Sequence, residues 1–352
     1  MTSDTPKPRI IDIALQAGLS TATVDRVLNE RPGVKAKTVA KVNEAIRQLN
    51  LASPRPQVIP SIAVGMEIDV LIAGRSGFAN DLLAKGLNSY AKRSGLLLNF
   101  DYSARMNAEA LATGLRDCLK RKSAGVVVQA VEHPLVREAI ANLSNEGIPV
   151  VAILTPLPDS GVIGYVGLDN RAVGRTAGLL MGRFSNVEGS VALFTGGNIY
   201  RNHEEREIGF RSVIRDEFRH LKLLPDCLGY DDPDKIYMLT KDILAQEKDL
   251  TGLFNVGSGN RGIERALLES GRAKETTYIA VNFTPLTRQA LVQGTIDAVL
   301  HQNMNYTAKA ALRAIIDHSS GRTADFEPTY LEIITRENLK QAKSWGMDFS
   351  KS

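Results

Sequence analysis

The 352-residue chain has little of what builds covalent staples or metal sites. Its two cysteines, Cys118 and Cys227, stand far apart and in no metal-ligand spacing. A disulfide framework and a thiolate cluster are excluded, and both thiols are expected to be buried and free in a reducing cytoplasm. The five histidines are scattered and form neither an HxxxH nor an HExxH pattern, so no structural metal is expected. No apolar run approaches the ~20 residues that span a bilayer. The opening MTSDTPKPR lacks the apolar stretch of a secretion signal. The expectation is a cytoplasmic protein with no membrane partner. No Ser/His/Asp, paired-carboxylate or phosphate-loop pattern stands out, and neither an enzyme nor a cofactor is expected.

Charge is present but unevenly placed. Residues 1–60 hold nine Lys/Arg and five Asp/Glu, and the rest of the chain holds 34 of each. The whole net charge of +4 therefore sits in the first sixty residues. A basic module on a neutral body is the footprint of nucleic-acid binding. The length also exceeds one ordinary core, so two or three domains are expected.

Residues 10–29, IIDIALQAGLSTATVDRVLN, read as two short helices joined by Gly18-Leu19-Ser20. Ile10, Ile13, Ala14 and Ala17 follow a helical period. Gly18 suits the left-handed end of the first helix, and Ser20 suits the N-cap of the second. Val24, Val27 and Leu28 form a buried stripe, leaving Thr21, Ala22, Asp25, Arg26 and Asn29 outward. Arg31-Pro32-Gly33 is a turn. Val39, Val42, Ile46 and Leu49 mark one face of a third helix. This is the layout of a helix-turn-helix.

The string ATVDRVLNERPGV, followed by KTVAKVNEAIRQLN, closely resembles the DNA-binding headpiece of the lactose/galactose repressor family over residues 9–50. The resemblance implies that Thr21 and Ala22 read bases and that Arg26 makes the specific contact, its fork suiting guanine O6 and N7. It places Ser20 and Asn29 at phosphate or turn-stabilising positions. Two residues depart from the family. Asp25 stands where serine is usual, and Lys35 stands where many relatives have the serine before the third helix. Lys35 loses an N-cap there but adds a cation for phosphate.

Residues 51–60 carry Pro54, Pro56 and Pro60 and are expected to form an extended linker. Family members usually have a hinge helix here that pushes a leucine into the minor groove. Pro60 stands at the aligned leucine, so that wedge is not expected.

From residue 61 to 345, strand-like apolar runs alternate with helical stretches, which implies βαβ units and enough strands for two parallel sheets. Ligands of such sheets bind beyond the carboxyl ends of the strands. EGIPVV, YVGLDNRAVGR, REIGFRSVI and LVQGTIDAVLHQ resemble the two-lobed sugar-binding domain of periplasmic binding proteins, which the repressor family uses as its effector sensor. The resemblance implies a ligand-clamping Arg206 and an aromatic cover in Phe78. It also implies a terminal-strand contact in Gln302, and Asn282 where many relatives have an acid. Gln129, Thr155, His203 and Asn260 complete the candidate set. An arginine among neutral amides with an aromatic face suits a polyhydroxylated ligand.

The expected fold is an all-α three-helix helix-turn-helix headpiece (1–50), a linker (51–60) and an α/β two-lobed, periplasmic-binding-protein-like domain (61–345) of two Rossmann-like subdomains. Lobe 1 is expected at 61–168 and 303–327, and lobe 2 at 169–302 and 328–345. The expected function is a transcriptional regulator, a repressor. It would bind operator double-stranded DNA as a homodimer and sense a small carbohydrate or polyol. An alternative comes from Gly257-Ser258-Gly259-Asn260-Arg261-Gly262, which spells the dinucleotide fingerprint after a strand. It would make the chain an NAD-dependent polyol or sugar dehydrogenase with a fused headpiece. The ribose-binding acid that should follow is, however, Asn282.

Overall fold

A computed structural model describes residues 10–28, 34–48, 63–74, 78–103, 107–197, 200–324, 326 and 329–339. Asn29, the Arg31-Pro32-Gly33 turn, Leu49, the linker 51–60 and its prolines lie outside the described residues. The chain divides into two compact units, Met1–Ser61 and Ile62–Ser352.

The first unit contains helices α1 (Ile10–Ala17), α2 (Thr21–Leu28) and α3 (Ala36–Gln48). Gly18 ends α1 with φ 63°, and Leu19 N–H returns to the Ala14 carbonyl at 3.0 Å. Ser20 Oγ accepts the Thr23 N–H at 3.1 Å and so caps α2. Ile13, Ala14, Val24, Val27, Val42 and Ala45 are buried together, with Leu28 and Val39 packed at their edge. Ile10 departs from the sequence expectation: it is 39% exposed, because the core takes only the Ile13–Ala17 side of α1.

In the second unit, β1 (Glu67–Ala73), β2 (Leu97–Ser103), β3 (Gly125–Val128), β4 (Val150–Ile153) and β5 (Gly164–Val166) form a parallel sheet of order β2-β1-β3-β4-β5. Helices α4 (Phe78–Ser94), α5 (Ala108–Arg121) and α6 (Pro134–Asn145) are its crossovers. A second sheet holds β6 (Gly189–Thr195), β7 (Leu221–Leu223), β9 (Leu250–Asn255), β10 (Thr277–Val281), β11 (Ala298–Gln302) and β12 (Leu331–Ile334). Its order is β12-β11-β10-β9-β6-β7, with β8 (Cys227–Leu228) also on β6. Without the antiparallel β12, the second sheet repeats the order of the first. Helices α7 (Asn170–Phe184), α8 (Arg201–Glu217), α9 (Pro233–Gln246), α10 (Asn260–Ser270) and α11 (Pro285–Gln293) accompany it.

Alternation along the strands divides the second sheet's core. Ala192, Phe194, Leu253, Tyr278 and Ala280 pack on one face. Val191, Leu193, Phe254, Ile279 and Val281 pack on the other. That two-sided burial explains why these strands read as continuous apolar runs. The chain passes between the sheets three times. After β5 it enters α7, whose N-cap is the Asp169 carboxylate. After β11 it returns through Asn303, the N-cap of α12 (Met304–Ser319), which packs on α4 and the first sheet. It then crosses back to pair β12 with β11. No described helix is long and apolar enough to cross a membrane.

Three glycines set the depth of α8. Gly174, Gly178 and Gly182 recur every four residues on α7 and face α8. A Cβ at Gly174 would stand 1.9 Å from the Arg206 carbonyl oxygen, and one at Gly209 would stand 2.2 Å from that of Arg171. The two backbones touch, and this fixes the position of Arg206.

Candidate functional site

Thr21, Ala22 and Arg26 of α2 are exposed, as is Ser20 just before it. Ser20 spends its hydroxyl on the helix cap. Lys35 is exposed immediately before α3, and its carbonyl accepts the Thr38 and Val39 N–H groups at 2.9 and 3.2 Å. Its backbone opens the helix while its side chain leaves the first-turn amides uncapped.

In the second unit, the carboxyl ends of both sheets face a small cleft. The first sheet supplies Ala73, Gln129 and Leu154, with Asn80 from the start of α4. The second supplies Asp231, Gly257, Ser258, Asn282 and Gln302, with Tyr200, Asn202, His203 and Arg206 at the start of α8. A wider groove at the mouth shares Asn80, Asp231, Ser258 and Asn282 and adds Phe78, Asn260 and Thr284. Of the residues expected from sequence, Gln129, His203, Arg206, Asn282 and Gln302 line the inner cleft, and Phe78 and Asn260 line the groove.

Arg206 is buried. Its Nε donates to Asn170 Oδ1 at 2.9 Å and its Nη1 to the Val256 carbonyl at 2.7 Å. Asn170 Nδ2 donates in turn to the Tyr165 hydroxyl at 3.1 Å, which lies 3.1 Å from the Leu154 carbonyl and 3.2 Å from that of Leu168. Arg206 is therefore wired to the first crossover between the sheets. Burial pulls its guanidinium down to about 10, which leaves it a cation at neutral pH. Burial also pushes the His203 imidazole down to about 4, opposed by Asp231 and assisted by Arg206. His203 is thus neutral, tilted on Tyr200 with ring centroids 5.6 Å apart, and its buried Nδ1 has no partner among the described residues.

Four of the amides are half-used. Gln129 Oε1 accepts the Ala73 N–H at 3.2 Å, leaving its Nε2. Asn80 Nδ2 donates to the Ala73 carbonyl at 2.8 Å, leaving its Oδ1. Gln302 Nε2 donates to Thr307 Oγ1 at 2.9 Å, leaving its Oε1. Asn202 Oδ1 accepts from Thr155 at 2.7 Å, leaving its Nδ2. Asn282 is held at φ 71°, with no side-chain partner among the described residues. Donors and acceptors are thus offered in comparable number to one small space, around one cation and one carboxylate among the described residues.

Two candidates spend their side chains on the scaffold. Thr155 is fully buried and does not line the cleft; it orients Asn202 across the lobe boundary. Asn260 binds Asn255 at 2.7 Å, the Tyr278 hydroxyl at 2.8 Å and the Val281 carbonyl at 3.1 Å, which uses its amide to tie β9 to β10. Sequence reasoning missed Asn80, Asn202 and Asp231. Asn202 directly precedes His203 at a helix start, a detectable place. Asp231 lies before Asp232-Pro233, a cap-and-proline signal for α9.

The Gly257–Gly262 motif has a packing cause. A Cβ at Gly262 would stand 2.2 Å from the Pro233 carbonyl oxygen, and one at Gly259 would stand 2.4 Å from Ile236. The glycines seat α10 against α9. The Ser258 amide, where a pyrophosphate would need a donor, is taken by Asp231 Oδ1 at 2.8 Å.

Comparison with known proteins agrees with this division. Residues 71–323 match the periplasmic binding protein domain, and residues 9–52 match the bacterial regulatory proteins of the lacI family. Catabolite control protein A of Staphylococcus aureus (strain MRSA252) is 27% identical over 227 residues, 62% of this chain and 65% of that protein. The match thus spans just under two thirds of that relative's length. The HTH-type transcriptional repressor PurR of Pasteurella multocida is 23% identical over 255 residues, 70% of this chain and 72% of that protein. Among solved structures, GanP, a glucose-galactose binding protein from Geobacillus stearothermophilus, shares the fold. The TM-score is 0.73 at 21% identity, over 78% of this chain and 99% of that one.

Proposed function

Because the chain belongs to the periplasmic binding protein domain family and carries the region shared by the lacI family of bacterial regulatory proteins, we propose that it is a DNA-binding transcriptional repressor whose operator affinity is set by a small carbohydrate or polyol. The observation that carries this reading is the cleft: half-used amides, one guanidinium and one carboxylate converge from two sheets, in a chain that also bears an exposed helix-turn-helix face. Each hydroxyl of a sugar both donates and accepts, and such a lining satisfies both roles. The apolar faces of Tyr200, Leu154 and Met304 suit the C–H side of a pyranose or furanose.

In this reading Arg26 contacts a guanine edge, Ala22 and Thr21 meet neighbouring bases, and Lys35 and Asn29 serve the backbone. The chain works as a cytoplasmic homodimer and acts by binding, without catalysing a reaction. The working division is a headpiece at 1–50, a linker at 51–60, lobe 1 at 61–168 and 303–327, and lobe 2 at 169–302 and 328–345. Ligand bound to both lobes favours the closed arrangement. The Arg206–Asn170–Tyr165 chain passes that preference to the crossover, and the resulting population shift changes operator affinity.

The test uses the full chain. Selection from a random duplex library should return a recurring sequence, and Arg26→Ala should weaken binding to it by about 1–3 kcal/mol, read by fluorescence anisotropy. A neutral monosaccharide or polyol should raise the melting temperature and change that DNA affinity. Equal operator binding by Arg26→Ala removes α2 from the groove. A panel of such ligands without effect on either measurement removes the effector reading.

A further inference from the structure

We propose that Asp231 restricts the cleft to uncharged ligands, its carboxylate accepting sugar hydroxyls and repelling phosphate esters and sugar acids. The proposal rests on the reading of the cleft as an effector site and deepens it.

Asp231 lines both the inner cleft and the groove at its mouth, so a ligand meets it on entry and when bound. It is the one carboxylate lining the inner cleft among the described residues. Its orientation is built rather than incidental. Tyr230 and Asp231 are consecutive non-glycine residues with φ 54° and 59°. That left-handed pair is intrinsically unfavourable and has to be held by its surroundings. Three contacts hold it. Asp231 Oδ1 accepts the Ser258 N–H at 2.8 Å. Lys235 Nζ sits 4.1 Å from the centre of the Tyr230 ring. Asp232, the next residue, caps α9 by accepting the Asp234 and Lys235 N–H groups at 2.9 and 3.1 Å.

The Ser258 contact also explains the selectivity. That amide lies just before the N-terminus of α10, the kind of place where anions settle. A protein carboxylate already fills it. No cation lies within ion-pair distance of Asp231 among the described residues, although its charge acts on Arg206 and His203 across the cleft. With Arg206 as the cation and His203 neutral, the lining sums to no net charge among the described residues. A neutral polyol enters such a site without leaving a charge uncompensated, whereas a phosphate dianion meets like charge at close range.

The experiment is calorimetry on the full chain with D-glucose, D-galactose, D-ribose and D-arabinose. Alongside them run glucose 6-phosphate, galactose 6-phosphate, ribose 5-phosphate and arabinose 5-phosphate. Wild type should prefer a free sugar to its ester by a hundredfold or more. Asp231→Asn should cut that preference at least tenfold and weaken the free sugar's binding. Asparagine tolerates left-handed backbone, so the loop is kept. Asp231→Gly removes the whole group while accepting the same backbone, and melting curves check both folds. An unchanged preference in both variants overturns the proposal. So does wild type that binds the ester as well as the sugar, an outcome that leaves the carbohydrate reading standing. Binding of neither class takes down the effector reading and this inference with it.

Discussion

The two halves of the body share one strand order yet bring different chemistry to the cleft. The first sheet and α4 offer neutral groups, Gln129 and Asn80, each tied to the Ala73 backbone. Among the described residues, the second half brings the ionised groups of the inner lining, Arg206 and Asp231, together with the buried His203. Its arginine is anchored by two hydrogen bonds and by the glycine contact of α7 with α8. Equal topology therefore does not mean equal roles. In the proposed reading, the second lobe holds the ligand in a set position and the first responds to its presence.

Acid offers the largest way to sharpen this contrast. Burial lowers both His203 and His301 to about 4 in the folded protein, against 6.5 when unfolded. The unfolded chain then binds protons that the folded chain refuses. The stability is complete above pH 6.5 and drains away as pH falls towards 4, by roughly 2–3 kcal/mol for each histidine. Both lie in the second half. Urea melts between pH 7 and pH 4.5 should show the drop, and His301→Gln should remove part of it. A flat profile means that these imidazoles are solvated in the native state.

Arg206→Ala should come next. Losing a charge-assisted hydrogen bond in a closed cleft costs about 1.4 kcal/mol or more, tenfold in effector affinity. DNA affinity without effector should barely move. Calorimetry with unaltered affinity would place the ligand elsewhere. The smallest effect belongs to the first lobe. Gln129→Ala should weaken binding only a few-fold, about 0.5–1 kcal/mol. It should also reduce the ligand's effect on DNA binding more than it reduces affinity. A Gln129→Ala defect as deep as that of Arg206→Ala breaks the proposed division of labour.

Much of the fold was legible because most strands are buried on both faces and bounded by turns. Gly125–Val128, Val150–Ile153 and Gly189–Thr195 stand within a few residues of where their apolar runs place them. The segment from Arg219 to Asp249 carries no legible period. Its strands, Leu221–Leu223 and Cys227–Leu228, are too short for any period to show, and α9 begins only after a left-handed pair that contains no glycine. Asp231 was lost with it. Residues next to readable strand ends, such as Gln129, Asn282 and Gln302, could be nominated from position alone. Whether a nominated polar group faces ligand or scaffold depends on its partners. Thr155 and Asn260 follow strands just as Gln129 does, yet their side chains are spent on Asn202 and on Asn255, Tyr278 and the β10 backbone.

The return of α12 to the first sheet has a consequence for synthesis. Ile315 of α12 rests on Gly125, where a Cβ would stand 2.4 Å from the isoleucine. The helix packs on β3, β4 and β5. Strand β3 leaves the ribosome about 180 residues before α12 does, and at 5–20 residues per second that interval is roughly 10–35 s. For that time the nascent first lobe carries a bare apolar sheet face while the second lobe is being made. Slowing translation within the second lobe should therefore increase aggregation of a chain whose finished fold is unchanged.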